Sequence, residues 1–169
     1  MTDADRLKTR ETHRDLTFLA WVVVGILGLN VAYFVGEEVG AVWYTNPGDW
    51  VTIFNAWWLG IIKAMPTILI AFAAADFAFL FQRCSQGNVF SEENVSTLNK
   101  AAYSLAGAGI WAGVISPTLQ AWIGMEFRGV SIDFGDLALA VTLLGVVLHG
   151  LSLVFKDAVA VKAENDEFV

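Results

Sequence analysis

Apolar residues in this chain fall in four stretches, 16–36, about 58–81, 101–124 and about 137–155, and the segments between them hold most of the charge. Each stretch is apolar around its whole circumference rather than along one stripe, and none alternates apolar with polar residues as a half-buried strand does. A bilayer core of about 30 Å is crossed by about 20 helical residues rising 1.5 Å each, so every stretch is long enough to span it. Strands of an outer-membrane barrel would be about half as long. The pattern predicts an all-α fold: a four-helix transmembrane bundle forming one domain over residues 1–169.

Local signals refine the boundaries. Asp49 follows the turn-forming Asn46-Pro47-Gly48 and reads as an N-cap, after which Trp50, Phe54, Trp57 and Ile61 recur at helical spacing. The second helix therefore begins near Trp50, and a run to Gln82 would be about 50 Å long, too long to stand upright in the core. Its first turns are expected to lie along the interface, with a bend near Gly60 or Pro66. The third stretch carries Ala106, Gly107, Gly109, Ala112, Gly113 and Ser116, and Gly109 with Gly113 forms a pair that lets another helix backbone approach. That face serves either packing inside the bundle or a homo-oligomer contact. Pro117 is expected to kink the outer end of this helix.

Composition agrees with a membrane-embedded chain, at 56% hydrophobic residues, 16% charged residues and a mean hydropathy of +0.58. Arg6, Lys8, Arg10 and Arg14 precede the first stretch, which exceeds the roughly 7–15 residues of a signal-peptide core and reads as a retained first span. Counting Lys and Arg between the spans places eight in the N-terminal tail, segment 82–100 and tail 156–169, against Arg128 alone in segments 37–57 and 125–135. Basic residues stay on the cytoplasmic side, so both termini are expected inside, in a multi-pass protein of the cytoplasmic (inner) membrane. Trp43, Tyr44, Trp50, Trp57, Trp58 and Trp122 then gather at the outer face, where amphipathic rings sit at headgroup depth. The formal charge of −7 and the lack of a basic stripe argue against direct nucleic-acid binding. The single cysteine, Cys84, excludes an internal disulfide framework.

Ionisable residues inside the spans are costly and ask for a reason. There are three. Lys63 lies just inside the outer face, where its stem can snorkel toward Glu37, Glu38 or Asp136 as an outer-interface charge. Asp76 and His149 each stand seven residues before a cytoplasmic basic residue, Arg83 and Lys156, and so share a depth of about 10 Å below the inner surface. They form a candidate intramembrane polar pair, either a proton or ligand site or a structural contact. Cys84 has no His or acidic partner close in sequence, and no phosphate loop, paired-His face or nucleophile elbow is present. No catalytic residue, metal site or cofactor is expected, and the chain does not read as an enzyme.

Segment 82–100 is legible in its own right. Gly87-Asn88 turns the chain, Ser91 caps a new helix, Glu92 and Glu93 suit its first turn, and Phe90 is positioned to staple onto Val95. With the Gly87-x-x-Phe90-Ser91-x-x-Asn94 turn, the four-span plan and the ending Ala163-Glu164-Asn165-Asp166-Glu167-Phe168-Val169, the chain resembles the bacterial membrane-protein family called domain of unknown function 2975. The resemblance implies a small inner-membrane protein, often encoded beside a helix-turn-helix regulator, and hence a cytoplasmic partner. It assigns no catalytic residue.

Two function classes follow. In the first, the bundle is a regulatory or binding module that presents the loop and the acidic tail to a soluble protein partner, through Gly87, Phe90, Ser91, Asn94, Glu164, Asn165, Asp166 and Phe168. In the second, it is a small transporter, channel or immunity-type protein that acts as a homo-oligomer through the Gly109 face. Four spans without an internal repeat, and with few polar residues in them, make a poor pathway for a monomer.

Overall fold

A computed structural model describes residues 3–87, 89, 91–123 and 129–167, the side chains of 3–10 and 166–167 excepted. All regular structure in it is helical: α1 (Asp3–Thr45), α2 (Trp50–Ser85), α3 (Glu92–Ile110), a π-turn (Trp111–Ile115), α4 (Ser116–Ile123) and α5 (Asp136–Glu167). Three helical segments are long and apolar enough to cross a membrane, Glu11–Thr45, Trp50–Ser85 and Asp136–Asn165. Residues 101–124 do not form a fourth unbroken one. The first half of α3 is polar, and the apolar half that follows is interrupted at Trp111.

The helices are longer and the connections shorter than the sequence predicts. α1 continues past the expected end of its span at residue 36 to Thr45, α2 begins at Trp50 as predicted, and the two meet through residues 46–49. Asp49 accepts hydrogen bonds from the backbone N–H of Val51 (3.2 Å) and Thr52 (3.3 Å) and from the Thr52 hydroxyl (2.6 Å), which makes it the N-cap of α2. From there α2 runs without interruption through Gly60 and Pro66. Gly60 serves packing: a Cβ there would stand 3.1 Å from Val35 Cα, so the two backbones are nearly touching. Trp21 packs edge-on to Phe79 at 5.4 Å further along the same hairpin.

Among the described residues α1 packs on α2 alone, α2 packs on α3, and α3 packs on α5. All three pairings are antiparallel. Helices α2 and α5 meet only through side chains over α3, where Ile70, Phe77, Val141 and Leu148 surround buried Ala73, Ala101 and Leu105. The α3–α5 approach is the closest. A Cβ on Gly109 would lie 2.5 Å from the Ala138 carbonyl oxygen, and one on Gly145 would lie 2.7 Å from that of Ala102. Gly113 is filled by the ring of Phe134, 2.6 Å from where its Cβ would be. The Gly109–Gly113 face is therefore spent on packing within the chain. Among the described residues the buried apolar positions are mostly alanine, while Leu29 and Leu137 are 74% and 77% exposed, the reverse of a soluble core.

Two internal prolines set the irregularities. Pro66 has no N–H for the Ile62 carbonyl one turn earlier, and the indole N–H of Trp111 donates to that oxygen at 3.0 Å. Pro117 likewise leaves the Gly113 carbonyl without its helical donor, and the backbone N–H of Asp133 takes it at 2.7 Å. The slack appears upstream of Pro117 as the π-turn, in which Ser116 N–H reaches back to the Trp111 carbonyl. The expected proline kink is thus a one-turn π-bulge ahead of the proline. Residues 129–135 then fold back along α4, with Ser131 and Thr118 exchanging two bonds of 3.0 Å and Trp122 donating to Gly129 at 2.8 Å.

Two outcomes follow. Trp111→Phe keeps an aromatic ring but removes the donor and some packing, and the donor's share of its cost should be about 1–2 kcal/mol in thermal denaturation in detergent. In a Pro66→Ala background, which restores the helical N–H to Ile62, the same change should cost about 1–2 kcal/mol less, and the double-mutant cycle measures the difference. The bonds from Thr52, its side chain first, hold the Asp49 carboxyl below its ordinary value. A depressed carboxylate contributes stability above its unfolded pKa of about 3.9, and that contribution is lost as pH falls through the folded value. Melting temperature should accordingly fall less steeply below about pH 4 in Asp49→Ser, which caps without titrating, than in the parent.

Candidate functional site

The end of the molecule formed by the close of α2, the start of α3 and the second half of α5 gathers most of the polar side chains that touch one another. The chain leaves α2 through Gly87, whose φ of +93° suits glycine and whose N–H bonds the Cys84 carbonyl at 3.0 Å. Ser91, extended at φ −136°, then accepts the Asn94 N–H at 3.2 Å and opens α3, with Glu92 and Glu93 in the first turn. Asn94, expected as a partner-facing residue, points inward instead. It is 6% exposed, and its Nδ2 donates to the Val89 carbonyl at 3.1 Å, so it closes the turn from within. The connection is only residues 86–91, and 92–100 belong to α3.

Arg83 locks this turn to the bundle. One guanidinium nitrogen donates to the Thr97 hydroxyl at 2.8 Å and the other pairs with Glu93 at 2.6 Å, while the Thr97 hydroxyl donates in turn to the Glu93 carbonyl at 2.9 Å. The cation is therefore committed to architecture. Lys63 is paired at the opposite end of the molecule, with Glu38 rather than Glu37 or Asp136.

Asp76 and His149 do not meet. Asp76 is half-buried on α2 in the field of Lys100 and Arg83, and α3 stands between it and α5. His149 pairs instead with Asn99 of α3, Nδ1 to Oδ1 at 2.7 Å. An amide oxygen can only accept, so with this amide orientation Nδ1 carries a proton and donates it to Asn99. Tyr103, one turn further along α3, lays its ring 5.3 Å from the imidazole at 35°. Ser152 is 2% exposed and donates to the His149 carbonyl at 2.7 Å. Equal depth on two helices did not make a pair, because depth says nothing about which helix lies between.

Asn99, His149 and Ser152 line a groove of 540 Å³ between α3 and α5, with Glu92, Ser96 and Asn99 on one wall and His149, Ser152 and Lys156 on the other. Behind it, toward α2, lies an apolar pocket of 200 Å³ among Leu80, Cys84, Leu98, Leu151 and Phe155. Sequence reasoning passed over Ser96, Asn99, Tyr103 and Ser152, although the signal was present. Glu92, Ser96, Asn99 and Tyr103 recur every three or four residues, and so do His149, Ser152 and Lys156, which makes one polar stripe on each helix. The tail is helical rather than irregular: α5 continues past Phe155 to Glu167, with Glu164 and Asn165 exposed. Phe90 and Phe168 lie outside the described residues, as does the side chain of Asp166.

A family model described as protein of unknown function (DUF2975) matches residues 8–169. The chain belongs to this family. No curated protein and no solved structure matches it. Because the match covers all of α1 to α5 from residue 8 onward, the groove and the loop both fall within the DUF2975 region. The groove brings together a cation, a carboxylate, an imidazole and hydroxyls on two helices, and aliphatic residues complete its lining.

Removing the inner clamp of the loop should loosen this end alone. Asn94→Ala leaves the Val89 carbonyl without its donor and should cost about 1–3 kcal/mol. Amide exchange of residues 85–95 should accelerate while that of the α1–α2 hairpin stays unchanged; uniform acceleration along the chain would remove the local role assigned to Asn94.

Proposed function

We propose that this protein is a regulatory or binding module of the cytoplasmic membrane that crosses the bilayer four times with both termini inside and presents its inner end to a soluble protein partner. The observation that carries the reading is the rigid extension of α5: the helix does not stop where its apolar run ends at Phe155 but goes on through Lys156 and Asp157 to Glu167. A helix with Asp157 and Glu164 exposed, and with Asp166 and Glu167 following in the sequence, beside a braced turn is a suitable platform for a basic partner surface. A small helix-turn-helix regulator has that character, and such a protein is the partner class we favour. The fourth crossing in this reading is the segment α3–π-turn–α4, which traverses the apolar layer in two pieces whose stranded carbonyl is satisfied by residues 129–135. The cytoplasmic side is assigned from the excess of Lys and Arg on the segments at this end.

The alternative of a small oligomeric transporter, channel or immunity-type protein loses the feature that suggested it, since the Gly109 face is filled by α5 and Phe134. A stop codon after Ala163 removes the exposed acidic turn and leaves the groove-lining residues in place. In affinity purification from the native membrane with mild detergent, the full chain should bring down a soluble basic protein, and the truncated chain should lose at least about tenfold of it, the equivalent of 1.4 kcal/mol. Full recovery on the shortened chain would exclude the tail as the docking element.

A further inference from the structure

The groove between α3 and α5 places opposite charges on facing walls without joining them. Glu92 and Lys156 both line it, both are exposed, and no ion pair connects them, whereas the neighbouring Arg83 and Glu93 are tied to each other. Because α3 and α5 run antiparallel, the lining residues form levels. Asn99 and His149 lie deepest, Ser96 and Ser152 come next, and Glu92 and Lys156 stand at the outer level, where α5 changes from Leu151–Phe155 to Lys156 and Asp157. In a membrane that change marks the border between hydrocarbon and headgroups.

We propose that this groove holds the headgroup of an aminophospholipid, a phosphoethanolamine zwitterion. The phosphate takes the Lys156 ammonium at the outer level and the ethanolamine ammonium takes the Glu92 carboxylate. The ester region reaches the serine level, where the exposed Ser96 hydroxyl is available to donate. Leu153, on the hydrocarbon side of the Lys156 level, leads the acyl chains out along α5. An anionic headgroup is disfavoured because Glu92 shares the groove with the only cation that lines it, and that cation has a single charge to offer. A volume of 540 Å³ is within the usual range of small-ligand clefts. A soluble phosphoethanolamine would present the same two charges, so the experiment separates the sources. The inference rests on the membrane orientation proposed above but not on the acidic tail, so tail deletion and lipid binding fail independently.

The full chain, purified in detergent, is exposed to equal amounts of dioleoyl phosphatidylethanolamine and dioleoyl phosphatidylglycerol, and retained lipid is counted by native mass spectrometry. Phosphatidylethanolamine should be retained about tenfold over phosphatidylglycerol, as one additional charge-assisted hydrogen bond implies. Glu92→Gln should bring the ratio near unity, and Lys156→Gln should lower retention of both lipids. Both side chains are exposed and outside the packed core, and circular dichroism of each variant checks that it is folded. O-phosphorylethanolamine added alone should not raise the melting temperature. Equal retention of the two lipids by the parent, an unchanged ratio in both variants, or protection by O-phosphorylethanolamine equal to that by the lipid would each overturn the proposal.

Discussion

A proline inside a helix withholds one N–H and strands the carbonyl four residues earlier, and in hydrocarbon no water is present to replace the missing donor. This chain contains two such prolines, and the arrangement of its third and fourth helices follows from how the two carbonyls are served. The Ile62 oxygen is met by the Trp111 indole, which fixes the rotation of α3 against α2. The Gly113 oxygen is met by the Asp133 N–H, which draws residues 129–135 back over the bundle and seats Phe134 in the space that a glycine leaves. The π-turn contains both anchors, Trp111 and Gly113, and its extra residue lets one helix satisfy the two.

Small residues complete the arrangement. Between lipid-facing helices there is no hydrophobic gain from hiding a leucine, so association depends on close packing, and close packing depends on what is absent at the contact. Gly109, Gly145 and the alanines of α3 let α5 approach until backbone meets backbone. The large apolar side chains that would form the core of a soluble domain point outward. Toward its end α5 still follows α3, but the residues between them become polar, and the groove opens where the packing residues give way to Asn99, Ser96 and Glu92.

Whatever was decided by neighbours in the chain could be read from the residues alone. Asp49 and Ser91 cap the helices that follow them because a cap needs only its next three residues, and Gly87 turns because of its own φ. The all-helical class and the three helices long and apolar enough to cross a membrane follow from unbroken runs of apolar residues. The candidate site was less legible. Asp76 and His149 were matched on depth, a one-dimensional coordinate, whereas the actual partner of His149 depends on which helix stands beside α5 and how it is rotated. Asn94 looked like a presented side chain because its position in a turn is visible in sequence and its inward rotamer is not. The polar stripe of α3 and that of α5 were each visible at helical spacing, but nothing local showed that they would be opposed.

The dependence of α1 on α2 alone bears on the order in which the protein is made. Every pairing that holds α1, from Trp21 on Phe79 through Val35 at Gly60 to Glu38 with Lys63, is complete once residue 85 has been synthesised. The α1–α2 hairpin can therefore reach its final geometry before α5 has been synthesised. The halves then differ in timing: the first is settled by contacts close in sequence, and the second waits for α5 to arrive and close onto α3.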